Sequence, residues 1–284
     1  REMAESARKA GVQTFGWFNY RRVPAVALAH QLVKKGKVGQ IRRVRARYLQ
    51  DWADESVPLM WRFDKKLAGS GAHGDLNAHI IDMTRFVTGG EFTEIVGAIE
   101  ETFIKEREII ESGGGEISGK GAKKSAEKKM GKSTVDDAVL FLARFKNGAV
   151  GSFEASRLAT GDKNANRIEI HGEKGSIKFN FERMNELEWY DNTLEGRYQG
   201  WSTINVTRGN DGHPYAGQWW PDSHVLGYEH GHINLGSEFM KVAGGGKPEV
   251  AAPDFTDGYE TQRVLHASIE SARNRCPIKM SEIK

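Results

Sequence analysis

The spacing of apolar residues predicts a short α/β segment at the start of the chain. Residues 1–10 read as a helix that Gly11 ends, and residues 12–18 are apolar and β-prone, which predicts a buried strand. Pro24 suits the first turn of a second helix, in which apolar residues recur at helical spacing up to Gly36. The order helix, strand, helix is typical of an α/β protein.

From Val38 onward the pattern changes to alternating apolar and polar positions, which predicts strands. Alternation marks residues 41–52 and 92–106, and two hairpins are predicted around Asn147-Gly148 and around the EKG of residues 173–175. The LEWY of residues 187–190 adds another strand. Helical spacing then marks three segments, which are residues 75–87 (closed by Gly89-Gly90), 228–242 and 256–274.

Two segments lack a periodic pattern. Residues 111–134 are rich in glycine and lysine and almost free of apolar residues, which predicts a surface loop, and residues 195–227 read as irregular. The whole pattern predicts an α/β fold of the α+β type. Its main element is a large, open, mostly antiparallel sheet with helices on one face.

Composition excludes several classes of protein. The 284 residues carry 41 Lys and Arg against 38 Asp and Glu, and a net charge of +3 gives no support for nucleic-acid or membrane-surface binding. No apolar run reaches the roughly 18 residues of a transmembrane helix. The single cysteine, Cys276, excludes an intrachain disulfide and fits a reducing compartment, so we expect a cytoplasmic protein.

The stretch GSGAHG, residues 69–74, fits the spacing G-x-G-x-x-G that seats a dinucleotide pyrophosphate. That fingerprint needs a buried strand immediately before its first glycine, because the loop runs from a strand into a helix. Here Gly69 follows the polar DKKLA of residues 64–68. We therefore interpret these glycines as a turn that enters a helix, and not as a cofactor loop.

Asp75 and His79 lie four residues apart, which places both on one face of the predicted helix. Histidine takes up a proton near neutral pH, and a neighbouring carboxylate raises its basicity, so the pair is a candidate for proton transfer. The alternative is that Asp75 caps the helix and His79 belongs to the core. Asp82 lies one turn further on and could orient either partner.

A second group of candidates lies near the C-terminal helices. Histidines cluster near Glu229, but alternate residues of a helix point to different faces, so we predict no metal site. These histidines are His224, His230 and His232. Four aromatic residues fit either the wall of a sugar site or the core, namely Trp201, Trp219, Trp220 and Tyr228.

Several stretches in the same order resemble the glucose–fructose oxidoreductase and inositol dehydrogenase family, and within it the pyranose and glycoside dehydrogenases. The resemblance covers nearly the whole chain, and the stretch around Asp75 and His79 is its most specific part. The matching stretches are AGVQTFGWFNYRRVPA, GKVGQIRRVRARYLQDW, GSGAHGDLNAHIIDMTRFVTGG, RIEIHGEKGSIKF, PDSHVLGYEHGH and PDFTDGYETQRVLHAS.

The resemblance implies an N-terminal Rossmann domain followed by a C-terminal α/β domain that binds substrate. Residues 1–20 would then be the last helix and strand of a truncated Rossmann domain, and residues 21–284 the substrate and oligomerisation domain. NAD or NADP would be bound mainly by a segment upstream of Arg1, which would also carry a catalytic lysine. The family implies a homo-oligomer, a dimer or tetramer that forms through the open sheet.

The resemblance also assigns roles to individual residues. His79 would remove the proton from a hydroxyl of a sugar, glycoside or polyol, and Asp75 would bind a hydroxyl or tune the site. Six further residues are weaker candidates. The substrate ligands would be Tyr20, Arg62, Arg157 and His224, and the residues near the nicotinamide would be Asn19 and Arg21. Two alternatives remain open. One is a non-catalytic sugar-binding or oligomerisation module, and the other is an NAD-assisted glycoside hydrolase or lyase.

Overall fold

A computed structural model describes residues 1–109 and 129–283 of the chain. Six α-helices occur in this part, and glycine ends two of them where the sequence predicts it. Gly11 and Gly89 both adopt the left-handed conformation, with φ of 65° and 63°. The helices are α1 (Glu2–Ala10), α2 (Pro24–Lys34), α3 (Lys65–Ala68), α4 (Ala78–Thr88), α5 (Tyr228–Ala243) and α6 (Phe255–Asn274).

Eleven strands form in the same part of the chain, and nine of them build one sheet in the order β10-β9-β8-β7-β1-β6-β5-β2-β11. All neighbours are antiparallel except β1 and β6. The strands are β1 (Ile41–Leu49), β2 (Phe92–Glu101), β3 (Glu106–Glu108), β4 (Met130–Lys132), β5 (Ala138–Phe145), β6 (Val150–Ser156), β7 (Ala165–Gly172), β8 (Gly175–Asn180), β9 (Glu186–Asp191), β10 (Trp201–Asn205) and β11 (Ile278–Lys279).

The predicted large, mostly antiparallel sheet is confirmed, and so are both hairpins. In the first, Gly148 turns the chain from β5 to β6 with a φ of 84°, a backbone conformation that glycine adopts without strain. Helices α2, α4 and α6 pack on one face of the sheet. The opposite face exposes apolar side chains, among them Ile99, Leu142 and Val150.

The core lies between the sheet and these helices. Phe141 of β5 and Phe153 of β6 face each other across the strand pair, with stacked rings 4.6 Å apart and only 2% of each residue exposed. From α4, Ile80 and Ile81 pack against the same layer and are fully buried. This packing fixes α4 over the sheet, and α4 begins beside the end of β1.

Three local expectations are wrong. Residues 12–18 form no strand with any described residue. The segment instead packs against the C-terminal helices and the loop between them, for example through Gly16 N–H, which donates to the Pro253 carbonyl at 2.6 Å. The expected loop of residues 111–134 ends in β4, which pairs with β3, while residues 111–128 of that loop lie outside the described residues. The irregular segment 195–227 contains β10, because its polar residues pair with β9 at the sheet edge.

No helix in the described ranges combines the length and the apolar character needed to span a bilayer.

The aromatic stack yields a prediction on stability. Replacing Phe153 by alanine removes a fully buried ring and its stacking on Phe141, so we expect unfolding to become easier by about 3–5 kcal/mol. The matched control is Leu67→Ala, because Leu67 is 68% exposed on α3 and its loss should cost less than about 0.5 kcal/mol. Urea denaturation of both variants measures the difference, and equal midpoints would contradict this account of the core.

Candidate active site

A cleft of about 1000 Å³ opens where β1 ends and α4 begins. The short turn of residues 19–22 forms a third side of it, and α5 a fourth. Most of its lining side chains are polar or aromatic, which suits a ligand that carries several hydroxyl groups. The lining includes Trp17, Asn19, Tyr20, Tyr48, Gln50, Trp52, Arg62, Asp75, His79, Tyr228 and His232.

The glycine turn at the entry to α4 is occupied by a carboxylate of the chain itself. Asp136 accepts the Gly71 and His73 N–H groups at 2.8 and 2.7 Å, in the way a bound anion accepts amides at a helix start. A Cβ at Gly71 would lie 1.8 Å from the Asp136 carbonyl oxygen, so this position requires glycine. Helix α3 precedes the turn instead of a buried strand, which agrees with our interpretation that these glycines hold no pyrophosphate.

Asp75 lies in a π-helical turn, His73–Asn77, which precedes α4. Its Oδ2 accepts from Arg157 Nη2 at 2.7 Å and Arg157 Nε at 3.2 Å, and Arg62 Nη1 lies 3.5 Å away. Arg157 is only 2% exposed, and therefore it is the fixed partner. The structure thus brings two of the predicted substrate ligands to one carboxylate, and Arg62 also lines the cleft.

His79 faces the cleft from the first turn of α4, among aromatic rings. The Tyr20 ring lies edge-on at 5.1 Å, with the rings of Tyr48 and Phe18 at 6.0 and 6.3 Å. Burial lowers the pKa of His79, the charge of Asp75 opposes this effect, and His232 adds to it. Its Nδ1 is buried without a hydrogen-bond partner. The imidazole is therefore neutral at pH 7, with its other nitrogen available to the cleft.

The hydroxyl of Tyr20 is already engaged. It lies 2.7 Å from the Tyr48 hydroxyl, which in turn donates to Asn164 Oδ1 at 2.7 Å. Because Tyr48 uses its single proton on Asn164, Tyr20 must be the donor to Tyr48. Burial raises the pKa of both tyrosines, that of Tyr48 to about 12, so both stay neutral. The Tyr20 hydroxyl can therefore only accept a hydrogen bond from a ligand.

Sequence reasoning missed three residues at the end of β1 and just beyond it. Tyr48, Gln50 and Trp52 line the cleft, and Gln50 links the other two by accepting from Trp52 Nε1 at 2.7 Å and lying 3.5 Å from the Tyr48 hydroxyl. They are alternate residues, so they face the same side of an extended chain. This alternation of polar and aromatic residues next to a buried strand was the signal that could have found them.

Asn19, which we expect near the nicotinamide, lines the cleft and contacts His232 of α5. The Trp17 indole donates to His232 Nδ1 at 3.0 Å, and His232 Nε2 lies 3.3 Å from the Asn19 amide nitrogen. His224 lies elsewhere, exposed on a loop where its Nδ1 is 2.9 Å from the Pro221 carbonyl oxygen. The structure does not bring His224 to the cleft, so the expectation that it binds substrate gains no support.

Arg21 is also outside the cleft, although it follows Tyr20 directly. It is 3% exposed and forms a two-point ion pair with Asp82, with Nε–Oδ2 at 2.9 Å, and its Nη2 lies 3.2 Å from Asp257. Asp82 thus orients neither Asp75 nor His79, contrary to our expectation. Arg21 and Asp82 instead join the turn of residues 19–22 to α4. The buried guanidinium of Arg21 needs the Asp82 carboxylate as its partner, so the two segments stay together.

This ion pair yields the next prediction. Replacing Asp82 by asparagine leaves the Arg21 guanidinium buried with Asp257 as its remaining charged partner, so we expect a loss of about 3–5 kcal/mol in unfolding free energy. The matched control is Glu94→Gln, which breaks the Arg144–Glu94 pair at the surface and should cost less than about 1 kcal/mol. Thermal unfolding of both variants decides the matter, and a near-neutral Asp82→Asn would contradict the proposed clamp.

Comparison with known proteins places the chain in a family. The family profile described as the GFO/IDH/MocA C-terminal domain matches residues 26–178. The chain is 41% identical over 269 residues to levoglucosan dehydrogenase of Pseudarthrobacter phenanthrenivorans, which covers 94% of this chain and 66% of that protein. It is 27% identical over 177 residues to myo-inositol 2-dehydrogenase of Thermotoga maritima, across 62% of this chain and 43% of that one.

Solved structures agree. An oxidoreductase domain protein from Kribbella flavida superimposes with a TM-score of 0.85 and 46% identity, over 98% of this chain and 68% of that one. Levoglucosan dehydrogenase in complex with NADH and levoglucosan superimposes with a TM-score of 0.79 and 38% identity, over 94% of this chain and 66% of that one. The chain thus spans about two thirds of the length of levoglucosan dehydrogenase and of the Kribbella flavida protein. On the matched domain and the shared fold, the chain belongs to the GFO/IDH/MocA family of oxidoreductases.

Proposed function

We propose that this protein is an NAD(P)-dependent oxidoreductase that acts on a ring hydroxyl of a sugar, glycoside or polyol. The observation that carries the proposal is the neutral His79, which faces a polar cleft beside the arginine-held Asp75. The names of its relatives support the same chemistry, since levoglucosan and myo-inositol are polyhydroxylated rings. Levoglucosan dehydrogenase, moreover, is known in complex with NADH.

The cleft residues fit the nicotinamide end of such a cofactor. Nicotinamide is a flat ring with a carboxamide, and the cleft offers the half-exposed indole of Trp17 and the amide of Asn19 near His79. When bound, this group supplies the redox chemistry by accepting a hydride from the carbon that bears the reacting hydroxyl. The glycine turn offers no such place for the pyrophosphate, because Asp136 occupies its amides.

His79 takes the hydroxyl proton in this proposal. An alcohol cannot become a ketone unless its O–H proton leaves together with the hydride, so a base must lie within hydrogen-bond distance. A neutral imidazole meets that need, and its lowered pKa keeps it unprotonated at neutral pH. Asp75 lies in the same cleft, and its negative charge stabilises the imidazolium that forms.

Asp75 and its arginines would orient the substrate. One carboxylate oxygen is held by Arg157 and Arg62, and the residue remains about one-third exposed to the cleft, so it can accept from a ring hydroxyl. Around it, Gln50 and Trp52 add polar and flat surfaces that suit sugar hydroxyls and the apolar face of a sugar ring.

A panel assay tests the function. The protein is incubated with levoglucosan, glucose, methyl glucosides and myo-inositol in the presence of NAD⁺ or NADP⁺, and reduced nicotinamide is recorded. We expect reduction with at least one uncharged ring substrate. Sugar cleavage without accumulation of reduced cofactor would favour the lyase alternative, and calorimetric sugar binding without either product would favour a binding module.

The proton-transfer role yields a prediction for His79→Gln. Glutamine keeps the polarity but cannot carry the proton, so we expect kcat to fall by about 10²–10⁴-fold. The control is His171→Gln on the surface of β7, which should leave kcat unchanged. Steady-state kinetics on the two variants would refute the role if the His79 variant kept more than half of the turnover.

The pH dependence provides an independent prediction. Activity requires neutral His79, so kcat/KM should fall as the pH drops through its pKa, and this acid limb should lie below 6.5, the ordinary value. Because the charge of Asp75 raises this pKa, Asp75→Asn should move the limb further toward acid. A limb above 6.5, or one that stays in place in Asp75→Asn, would contradict the assignment.

The open face of the sheet supports a further proposal, that two copies associate through it. Ile99 and Leu140 lie side by side on β2 and β5, and Leu142 is 55% exposed next to them. Exposed apolar area of this kind marks association surfaces. We expect Leu142→Glu to reduce the mass in light scattering to that of one chain and Leu67→Glu to leave it unchanged, so an unaltered mass in both would refute the interface.

A further inference from the structure

The π-helical turn His73–Asn77 is an unusual element at the centre of the cleft wall. Asp75 lies within it and His79 lies two residues beyond its end. A π-turn is rare compared with an α-helix, occurs mostly as a single turn within an α-helix, and is frequent at functional sites. It therefore needs contacts from its surroundings to persist, and the side chains of its first and last residues supply them.

The ring of His73 is held at both nitrogens. Nε2 lies 2.9 Å from the Leu265 carbonyl oxygen of α6, and a carbonyl can only accept, so Nε2 carries the hydrogen. Nδ1 lies 2.9 Å from Asn77 Nδ2 and accepts from it. His73 is 1% exposed and burial lowers its pKa, so the ring is neutral with one fixed tautomer.

Asn77 completes the arrangement. Its Nδ2 also lies 3.3 Å from the Val139 carbonyl oxygen of β5, which fixes the orientation of the amide because the carbonyl would repel Oδ1. Asn77 is fully buried. The bond between His73 and Asn77 thus joins the first residue of the π-turn to its last, and it ties both to β5 and α6.

The backbone of the turn is fixed at the same point. Asp136, which precedes β5, accepts the His73 N–H at 2.7 Å through its carboxylate. The position of Asp75 along the turn, and the direction in which α4 starts, therefore depend on contacts that involve neither the cleft nor a ligand. His79 lies in the first turn of α4, so its direction follows from that start.

We infer that His73, in its neutral Nε2–H tautomer and together with Asn77, is a positioning residue that holds the π-turn and thereby directs His79 into the cleft. His73 does not line the cleft and takes no proton in the reaction. The catalytic consequence rests on the proposed function, whereas the tautomer and the direction of His79 are properties of the chain alone.

The first test is ¹⁵N NMR of histidine-labelled protein at pH 7, with ring signals assigned through single His→Gln variants. We expect His73 to show a protonated Nε2 and an unprotonated Nδ1. A protonated Nδ1, or a charged ring, would overturn the inference without any assay of activity. The tautomer is read from protein with an unchanged π-turn. Where His73→Gln fails to fold, the His73 signals are those that no other single His→Gln variant removes.

The second test compares His73→Phe with His30→Phe in the protein as encoded in its source. His30 is a matched control, because its Nδ1 lies 2.7 Å from the Phe86 carbonyl oxygen and its ring stacks on Phe86 of α4. Both variants lose a histidine–carbonyl bond. We expect His73→Phe to shift the His79 ring signals and His30→Phe to leave them in place. Asn77→Ala should shift them in the same direction as His73→Phe.

Kinetics then separate positioning from general loss of stability. We expect His73→Phe to lower kcat by about 10–100-fold with KM changed less than about threefold, because displacement of the base affects the chemical step more than binding. His73→Gln, which retains a donor for the Leu265 carbonyl, should restore part of kcat.

If His73→Phe folds and both kcat and the His79 signals equal those of His30→Phe, the inference is wrong. If no sugar is oxidised even by the unchanged protein, the proposed function fails and the NMR results alone decide the inference.

Discussion

A buried ion pair between Arg21 and Asp82 determines how the walls of the cleft meet. Arg21 follows Tyr20 in the turn of residues 19–22, and Asp82 lies one helical turn beyond His79. Separating the two charges at this depth would cost several kcal/mol, so the turn and α4 hold one relative position. The 5.1 Å between the Tyr20 and His79 rings follows from that clamp. The apolar core supports it from below, since Ile80 and Ile81 fix α4 on the sheet.

A charged side chain of the protein also fixes the start of α4. A glycine turn at a helix start is able to bind an anion, and here the anion is the Asp136 carboxylate. The turn is therefore rigid and leads into the π-turn that carries Asp75. Three contacts from different elements act on one short segment, since Asp136 holds its backbone, Leu265 holds the His73 ring, and Val139 holds Asn77. The segment that carries Asp75 and leads into His79 is therefore held by residues outside the cleft.

The sequence alone determined the sheet, the helices and the central pair. Alternation and helical spacing are local signals, so they located β5 to β9 and the helices α2, α4, α5 and α6. The spacing of Asp75 and His79 placed them together, and the polar DKKLA before Gly69 excluded a cofactor loop. The resemblance predicted Tyr20 and Arg62 as substrate ligands and Asn19 near the nicotinamide, and all three line the cleft. Only the placement of Asp75 and His79 on one face follows from local spacing.

Tertiary structure decided everything that depends on a distant partner. The apolar residues 12–18 have the composition of a strand, but a strand needs a neighbour, and among the described residues none pairs with them. From its position, Arg21 was expected near the nicotinamide, but it forms a buried ion pair with Asp82, which lies 61 residues away in the sequence. Tyr48 was missed because its role depends on Tyr20 and Asn164 from other segments. Local spacing determines which face a side chain occupies, whereas burial and charge pairing depend on what the fold brings to that face.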